Sequence, residues 1–238
     1  VASGIPDFRS PGGMYDSLKP ELLTAMRNQR RLMEMDPTYV VSWQIFCQNP
    51  FPYLEVRRPF ILGTREQKWK ATLFHRFLEL IDQKTNKLQR IYTQNIDGLD
   101  FQTDIPNDKI VAVHGSIGQV KCEGCGHSAD FDAFCDQVQE RIKDIYGENN
   151  GPKESTFILC ENCGKPLVKP STVLFGRALP IRFFECLEHD DFDVLLVAGT
   201  SLVVSPANYV VTVAGKETIR VVINREPVGM ELGIDYSG

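Results

Sequence analysis

Apolar residues along this chain fall into two rhythms. The first is helical. Trp69, Leu73, Phe77 and Ile81 recur at every fourth position, with Phe74 and Leu78 beside them. That spacing predicts a helix with one wide apolar face, in which His75 reads as a packing or surface residue. The second rhythm is short and continuous. Residues 110–113 and 194–198 form apolar runs too short for helices, and 88–93 and 219–223 are short segments of the same kind interrupted by polar residues; all four predict strands, the last two in chain order buried. Each run ends in a polar or glycine-bearing string: Gln94-Asn95-Ile96-Asp97-Gly98, His114-Gly115, Gly199-Thr200-Ser201 and Asn224. A helix is expected to begin near Pro206. Short strands with helical segments between them imply a parallel α/β sheet. Such sheets bind ligands beyond the carboxyl ends of their strands, so the polar strings are expected to converge on one crevice.

Composition narrows the class. The chain has 238 residues, 42% hydrophobic and 24% charged, which excludes disordered and collagen-like sequences and allows one large domain or two modest ones. Its formal charge is −5, with no overall bias toward nucleic acid or anionic membrane. Arg57 with Arg58, or Arg27 with Arg30 and Arg31, offers a local basic patch, but a solvated helix face explains either group better. Residues 194–215 carry no formal charge and are long enough to span a bilayer. Gly199, Thr200, Ser201, Ser205, Pro206 and Asn208 interrupt them, so a strand–loop–helix unit fits better. Neither a membrane nor a direct nucleic-acid partner is expected.

Seven cysteines are present. Four make two Cys-x-x-Cys pairs, Cys122/Cys125 and Cys160/Cys163, each followed by glycine. Two thiolates at this spacing can turn onto one ion, and four close a tetrahedral structural zinc site. The interval between the pairs exceeds the roughly 15–20 residues usual for zinc ribbons, and the string "YGENNGPKE" at 146–154 reads as an exposed loop that lengthens it. Disulfides fit poorly with an odd count and no secretory signal. His127 is a weaker ligand candidate. Cys47, Cys135 and Cys186 read as small buried apolar side chains.

Taken singly, the polar strings are ambiguous. Asn95 and Asp97 on an extended segment can face one way and bond an amide, or form an Asx turn that caps the strand. His114 can accept a proton from a hydroxyl or be structural. Thr200 and Ser201 suit a phosphate or ribose, and Asn224 a ribose or adenine edge. In Asp7-Phe8-Arg9 the arginine suits a phosphate and the phenylalanine a ring face.

Together they are less ambiguous. "SGIPDFRS", "YTQNIDGLD", "VHGS", the two cysteine pairs, "LVKPSTVLFG", "AGTSLVVSPA" and "VVIN" stand in the order found in sirtuins, and residues 3 to about 226 resemble that family, its class I branch most closely. The resemblance implies a Rossmann-like NAD-binding domain formed by residues 1–24, 69–117 and 171–238. It also implies a smaller inserted part, with a helical module at 25–68 and a four-cysteine zinc module at 118–170. It implies NAD-dependent removal of acetyl groups from protein lysines, releasing nicotinamide and O-acetyl-ADP-ribose, in the cytoplasm or nucleus. Histone or tubulin tails would be natural substrates. His114 would be the general base, with Asn95 and Asp97 in the catalytic set. Asp7, Phe8, Arg9, Gln94, Asn95, Ile96, Asp97, Gly199, Thr200, Ser201, Asn224 and Arg225 would bind NAD. His114, Val173, Phe175 and Gly176 would bind the acyl-lysine peptide, the last segment as an added strand. Cys122, Cys125, Cys160 and Cys163 would hold one structural zinc, remote from the chemistry.

The chain also departs from the family pattern. It begins at Val1, downstream of the family's glycine-rich string, so the first strand, part of the phosphate loop and the C-terminal end are expected to be missing. Arg177 stands where many members have glutamate. The tyrosine and arginine that select acidic acyl groups in one branch are not evident, which favours acetyl or a longer apolar acyl. The alternatives are a mono-ADP-ribosyltransferase, a non-catalytic zinc-bearing chromatin-binding module and, least well supported, a nicotinamide dehydrogenase.

Overall fold

In the computed structural model, residues 2–5, 12–147 and 151–236 are described. The first part is helical: α1 (Arg27–Met35), α2 (Trp43–Gln48), α3 (Phe51–Arg65) and α4 (Leu73–Thr85). Local chemistry sets their ends. Ser42 Oγ accepts the Ile45 N–H at 3.3 Å to open α2. Pro50 and Pro52 sit at the start of α3, where a missing N–H sacrifices no helix bond. Thr72 and His75 cap each other reciprocally at the start of α4, and Asn86 in the left-handed region ends it.

Strands follow in three groups. β1 (Ile91–Thr93) and β2 (Ile110–Ala112) pair in parallel, Ile91 opposite Ile110. β3 (Val120–Cys122), β4 (Ser128–Ala129) and β5 (Val168–Pro170) form an antiparallel sheet in the order β4-β3-β5, with α5 (Phe131–Arg141) between β4 and β5 in sequence. After α6 (Ile181–His189), β6 (Val194–Ala198) and β7 (Ile219–Ile223) make a second parallel pair, separated in sequence by α7 (Val210–Val213). Among the described residues no backbone ladder joins the two parallel pairs. Side chains join them instead: Leu195 packs with Val111, Val113 and Phe183, and Leu196 with Leu78, Ile105 and Ile110. Arg90, just before β1, holds Asp190 after α6 at 2.8 and 2.9 Å, and the Tyr92 hydroxyl donates to the same carboxylate.

The largest core is shared by the helices of the first part and the cysteine-bearing segment. Leu23, Met33, Phe46, Tyr53 and Ile61 pack with Phe134, Val138, Ile142 and Ile158. Ile96, Ile117 and Leu174 belong to the same cluster, so it extends beneath the loops that follow β1, β2 and β5.

Three expectations need correction. In α4 the packed stripe is Phe74, Leu78 and Ile81. Leu73 is 87% exposed, Phe77 partly exposed, and Trp69 lies before the helix with its ring edge-on to Phe60. Four residues turn a helix by about 400°, so an every-fourth-residue stripe drifts about 40° per step and leaves the core. β6 and β7 are not fully buried: Val197 is enclosed, whereas Val194, Ile219, Val221 and Ile223 are exposed. Val222 packs with Val197, Leu202 and Val211, and the twofold period of the strand turns its neighbours the other way. Arg57 and Arg58 form neither a basic patch nor a solvated face. Both are buried, because α3 is enclosed nearly all round from Pro52 to Arg58. Arg58 pairs with Asp144 at 3.5 Å and donates to the Gln139 carbonyl at 3.4 Å. Burial pulls both guanidinium pKa values below their usual range, with Asp144 opposing this at Arg58.

The two faces of α4 should respond differently to truncation. Leu78→Ala is expected to cost about 2–4 kcal/mol in urea unfolding, and Leu73→Ala to stay within about 0.5 kcal/mol.

Candidate functional site

Parallel pairing brings the carboxyl ends of β1 and β2 to one edge. Thr93 accepts the Val113 N–H at 2.9 Å, and the chain then enters residues 94–98 on one side and 114–117 on the other. His114 stands between them, its Nδ1 3.0 Å from the Gln94 carbonyl oxygen. A carbonyl only accepts, so Nδ1 carries the proton and Nε2 keeps its lone pair. Burial lowers the His114 pKa from its usual 6.5, the Gln94 bond opposing this. The imidazole is therefore neutral at physiological pH.

Backbone contacts fix this histidine from the other side. Its own carbonyl accepts the Val173 N–H at 2.8 Å, and Ile96 accepts the Ile117 N–H at 2.8 Å. Gly115 has φ +75°, and a Cβ there would lie 1.9 Å from the Ser171 carbonyl oxygen. Only glycine permits that approach. Beneath it the Tyr53 hydroxyl is 2.7 Å from Thr172 Oγ1, both residues buried.

The other expected residues fall into place unevenly. Asn95 is exposed, and Ile96 is buried in the main core. Asp97 Oδ1 accepts the Leu99 N–H at 3.0 Å, so the Asx turn is formed, while Oδ2 stays outside that bond. Asp100 is buried, and its carboxyl pKa is raised by that burial against the pull of His75, 3.8 Å away, and of Thr93. Phe175 is partly exposed and forms a parallel bridge with Ser42, donating to Val41 at 3.0 Å and accepting from Trp43 at 2.9 Å. Gly176, at φ +87°, lies in a turn closed by the Arg177 N–H on the Leu174 carbonyl at 3.0 Å.

At the second parallel pair, Gly199 donates to Ile223 at 3.0 Å, which places residues 199–201 beside 224–225. Thr200 Oγ1 accepts the Leu202 N–H, and Asn224 Nδ2 donates to the Glu226 carbonyl at 2.9 Å. Arg225 is exposed. Helical turns begin only at Ala207, so Thr200 and Ser201 occupy a loop rather than a helix N-terminus. Asp7, Phe8 and Arg9 lie outside the described residues.

The four paired cysteines converge. Their Sγ atoms all lie within 4.8 Å of one another, with Cys122–Cys163 and Cys125–Cys160 both at 3.7 Å. A tetrahedral zinc with bonds of about 2.3 Å requires sulfur–sulfur edges of about 3.8 Å, so this donor set fits one Zn²⁺ as a closed structural site. The two knuckles repeat one backbone pattern. Gly126 and Gly164, at φ +75° and +67°, donate back to Cys122 and Cys160 at 2.8 Å each. Cys122 and Cys160 in turn donate to His127 and Lys165 at 2.9 and 3.0 Å. His127 therefore contributes its backbone to the knuckle. Of the other cysteines, Cys135 is fully buried, and Cys47 and Cys186 are half-buried.

One connection was not legible beforehand. Glu123, inside the first knuckle, reaches Lys169 Nζ at 3.2 Å and Arg177 Nε at 3.5 Å. Lys169 is fully buried and donates to the Pro170 and Thr172 carbonyls at 2.8 and 2.5 Å. Burial brings its pKa down to about 8, with Glu123 opposing. The knuckle is thus tied by charge to the segment that packs on His114. A basic residue in the apolar string 167–175 was the available signal, but its partner lies far away in sequence.

The profile of the Sir2 family matches residues 1–206. The chain belongs to the Sir2 family. Its similarity to members is spread along the whole sequence. It is 33% identical to the NAD-dependent protein deacetylase hst2 of Schizosaccharomyces pombe, over 96% of this chain and 60% of that protein. It is 34% identical to the NAD-dependent protein deacetylase sirtuin-3 of Mus musculus, over 95% and 59%. With the NAD-dependent deacetylase sir2D of Dictyostelium discoideum it shares 32% identity, over 99% and 39%. The chain thus spans between about two fifths and three fifths of these relatives' lengths. A solved structure from work on the mechanism and regulation of Sir2 enzymes superposes with a TM-score of 0.67 at 26% identity, covering 98% of this chain and 79% of that one. The Sir2 fold therefore accounts for both the parallel strand pairs and the cysteine module. Among the described residues no helix is long and apolar enough to cross a membrane.

Metal analysis should find about one zinc per chain. Cys160→Ser should lose that zinc and the protease resistance of residues 118–170 together. Full metal retention in the variant would contradict the closed site.

Proposed function

We propose that this chain performs NAD-dependent removal of acetyl groups from protein lysines, with His114 as general base. The observation that carries the reading is the placement of His114: a neutral imidazole, its Nδ1 proton engaged by Gln94, at the junction of residues 94–98 and 171–173 in a Sir2 chain. Relatives named as NAD-dependent protein deacetylases, at 33–34% identity over nearly the whole chain, support it.

NAD would supply the glycosidic carbon at which nicotinamide is exchanged for the acetyl oxygen. The residues present fit such a ligand. Asp97 Oδ2 lies outside the Asx turn and can accept a carboxamide N–H, with exposed Asn95 two residues away. Gln94 orients the base through its carbonyl and leaves its side chain for a ribose hydroxyl. His114 Nε2 takes the proton of a ribose hydroxyl, a role that requires the neutral ring. Thr200, Ser201, Asn224 and Arg225 would hold the adenosine end. Val173, Phe175 and Gly176 would seat the peptide. The Leu174 and Gly176 N–H groups make no hydrogen bond among the described residues, which leaves backbone donors on this segment for a peptide.

In this reading residues 1–24, 69–117 and 171–238 form the nucleotide-binding body, 25–68 the helical module and 118–170 the zinc module. Acetylated histone or tubulin tails are the proposed substrates, in the nucleus or cytoplasm.

The test incubates the protein with NAD and an acetyl-lysine peptide and follows nicotinamide and free lysine together. Equal release of both is expected, falling about 10²–10⁴-fold in His114→Ala. Because the His114 pKa is lowered, kcat/KM should rise with pH through a midpoint below 6.5 and then level off. Nicotinamide release without deacetylation would move the assignment to ADP-ribosyl transfer. No release of either would overturn it.

A further inference from the structure

We propose that Arg177 selects acyl-lysine peptides that carry a carboxylate close to the modified lysine. The inference rests on the deacetylase reading and names a substrate class for it.

The argument begins with how Arg177 is held. Its backbone N–H closes the turn on Leu174, and Val173, four residues earlier, is bonded to the His114 carbonyl. Four residues of chain reach at most about 13 Å, so Arg177 lies within about four extended peptide positions of the residue bonded to His114. The backbone groups of Phe175 are spent on Val41 and Trp43. The Leu174 carbonyl is spent on Arg177, so the Leu174 and Gly176 N–H groups are the backbone donors left beside it, and Arg177 follows them directly.

The guanidinium is oriented but not saturated. It lies 5.5 Å over the Trp43 ring, and its Nε faces Glu123 Oε2 at 3.5 Å. Glu123 is almost wholly buried and is more closely engaged by Lys169 at 3.2 Å. The Arg177 side chain is half exposed. The half-exposed guanidinium, with no side-chain hydrogen bond among the described residues, keeps N–H donors for a carboxylate, which arginine can take in two parallel bonds. The local charge agrees: Lys169 and Arg177 outnumber Glu123, and Lys121 adds a further positive field at Lys169. A basic residue on the peptide would meet that surplus, and an acidic one would complement it.

The experiment uses acetyl-lysine peptides that differ at one position, from three residues before to three after the lysine, with Glu, Gln or Lys there. Values of kcat/KM are compared for the wild type, Arg177→Gln and Arg177→Glu. The wild type should favour Glu over Gln by about three- to tenfold at one position or more, less at high salt. The ratio should approach one in Arg177→Gln and turn toward Lys in Arg177→Glu. Using ratios removes any uniform loss of activity in the variants. Peptide binding by fluorescence anisotropy gives the same ratios without turnover, so a failure of the reaction is separable from a failure of the selection. A ratio near one at every position in the wild type, or one unchanged in Arg177→Gln, would overturn the proposal.

Discussion

The site depends on one close approach. Gly115 lies against the Ser171 carbonyl at a distance that no side chain survives, and His114 and Val173 are hydrogen-bonded beside it. This contact joins the end of β2 to the chain leaving β5, two segments that otherwise belong to different sheets. The imidazole beside it is half-buried, and the Gln94 carbonyl claims its Nδ1 proton. A neutral base of defined tautomer follows from those two facts. So does a stability consequence. The unfolded chain protonates this histidine more readily than the folded one, so the native state loses stability as pH falls through 6.5 and below.

The cysteine module serves that contact from a distance. Its two knuckles repeat one hydrogen-bonding pattern and set four sulfurs at zinc-binding separations. Glu123, between two of the ligands, then engages the buried Lys169, whose ammonium holds the carbonyls of Pro170 and Thr172. A buried ammonium needs such partners. Zinc bound by the four cysteines would thereby stiffen the segment against which His114 rests.

Much of this was legible because it is local. Strands ending in polar strings, the paired cysteines and His114-Gly115 are short-range patterns, and their places in a parallel α/β arrangement followed. What was not legible depends on partners far along the chain. The burial of Arg58 requires Asp144, and the enclosure of Lys169 requires Glu123. The packed face of α4 was misjudged because residues four apart look equivalent in sequence but drift around a helix. Asp97 shows a third limit. Its Asx turn and a free carboxylate oxygen are compatible, so the structural and functional readings of one residue were never exclusive.

The central claim is that His114 is a neutral base with its proton on Nδ1. Ring-nitrogen NMR across a pH titration, with His114→Ala for assignment, tests it most directly. The account predicts a midpoint below 6.5 and the Nδ1–H tautomer above it. A midpoint above 6.5, or a neutral ring protonated on Nε2, would contradict it.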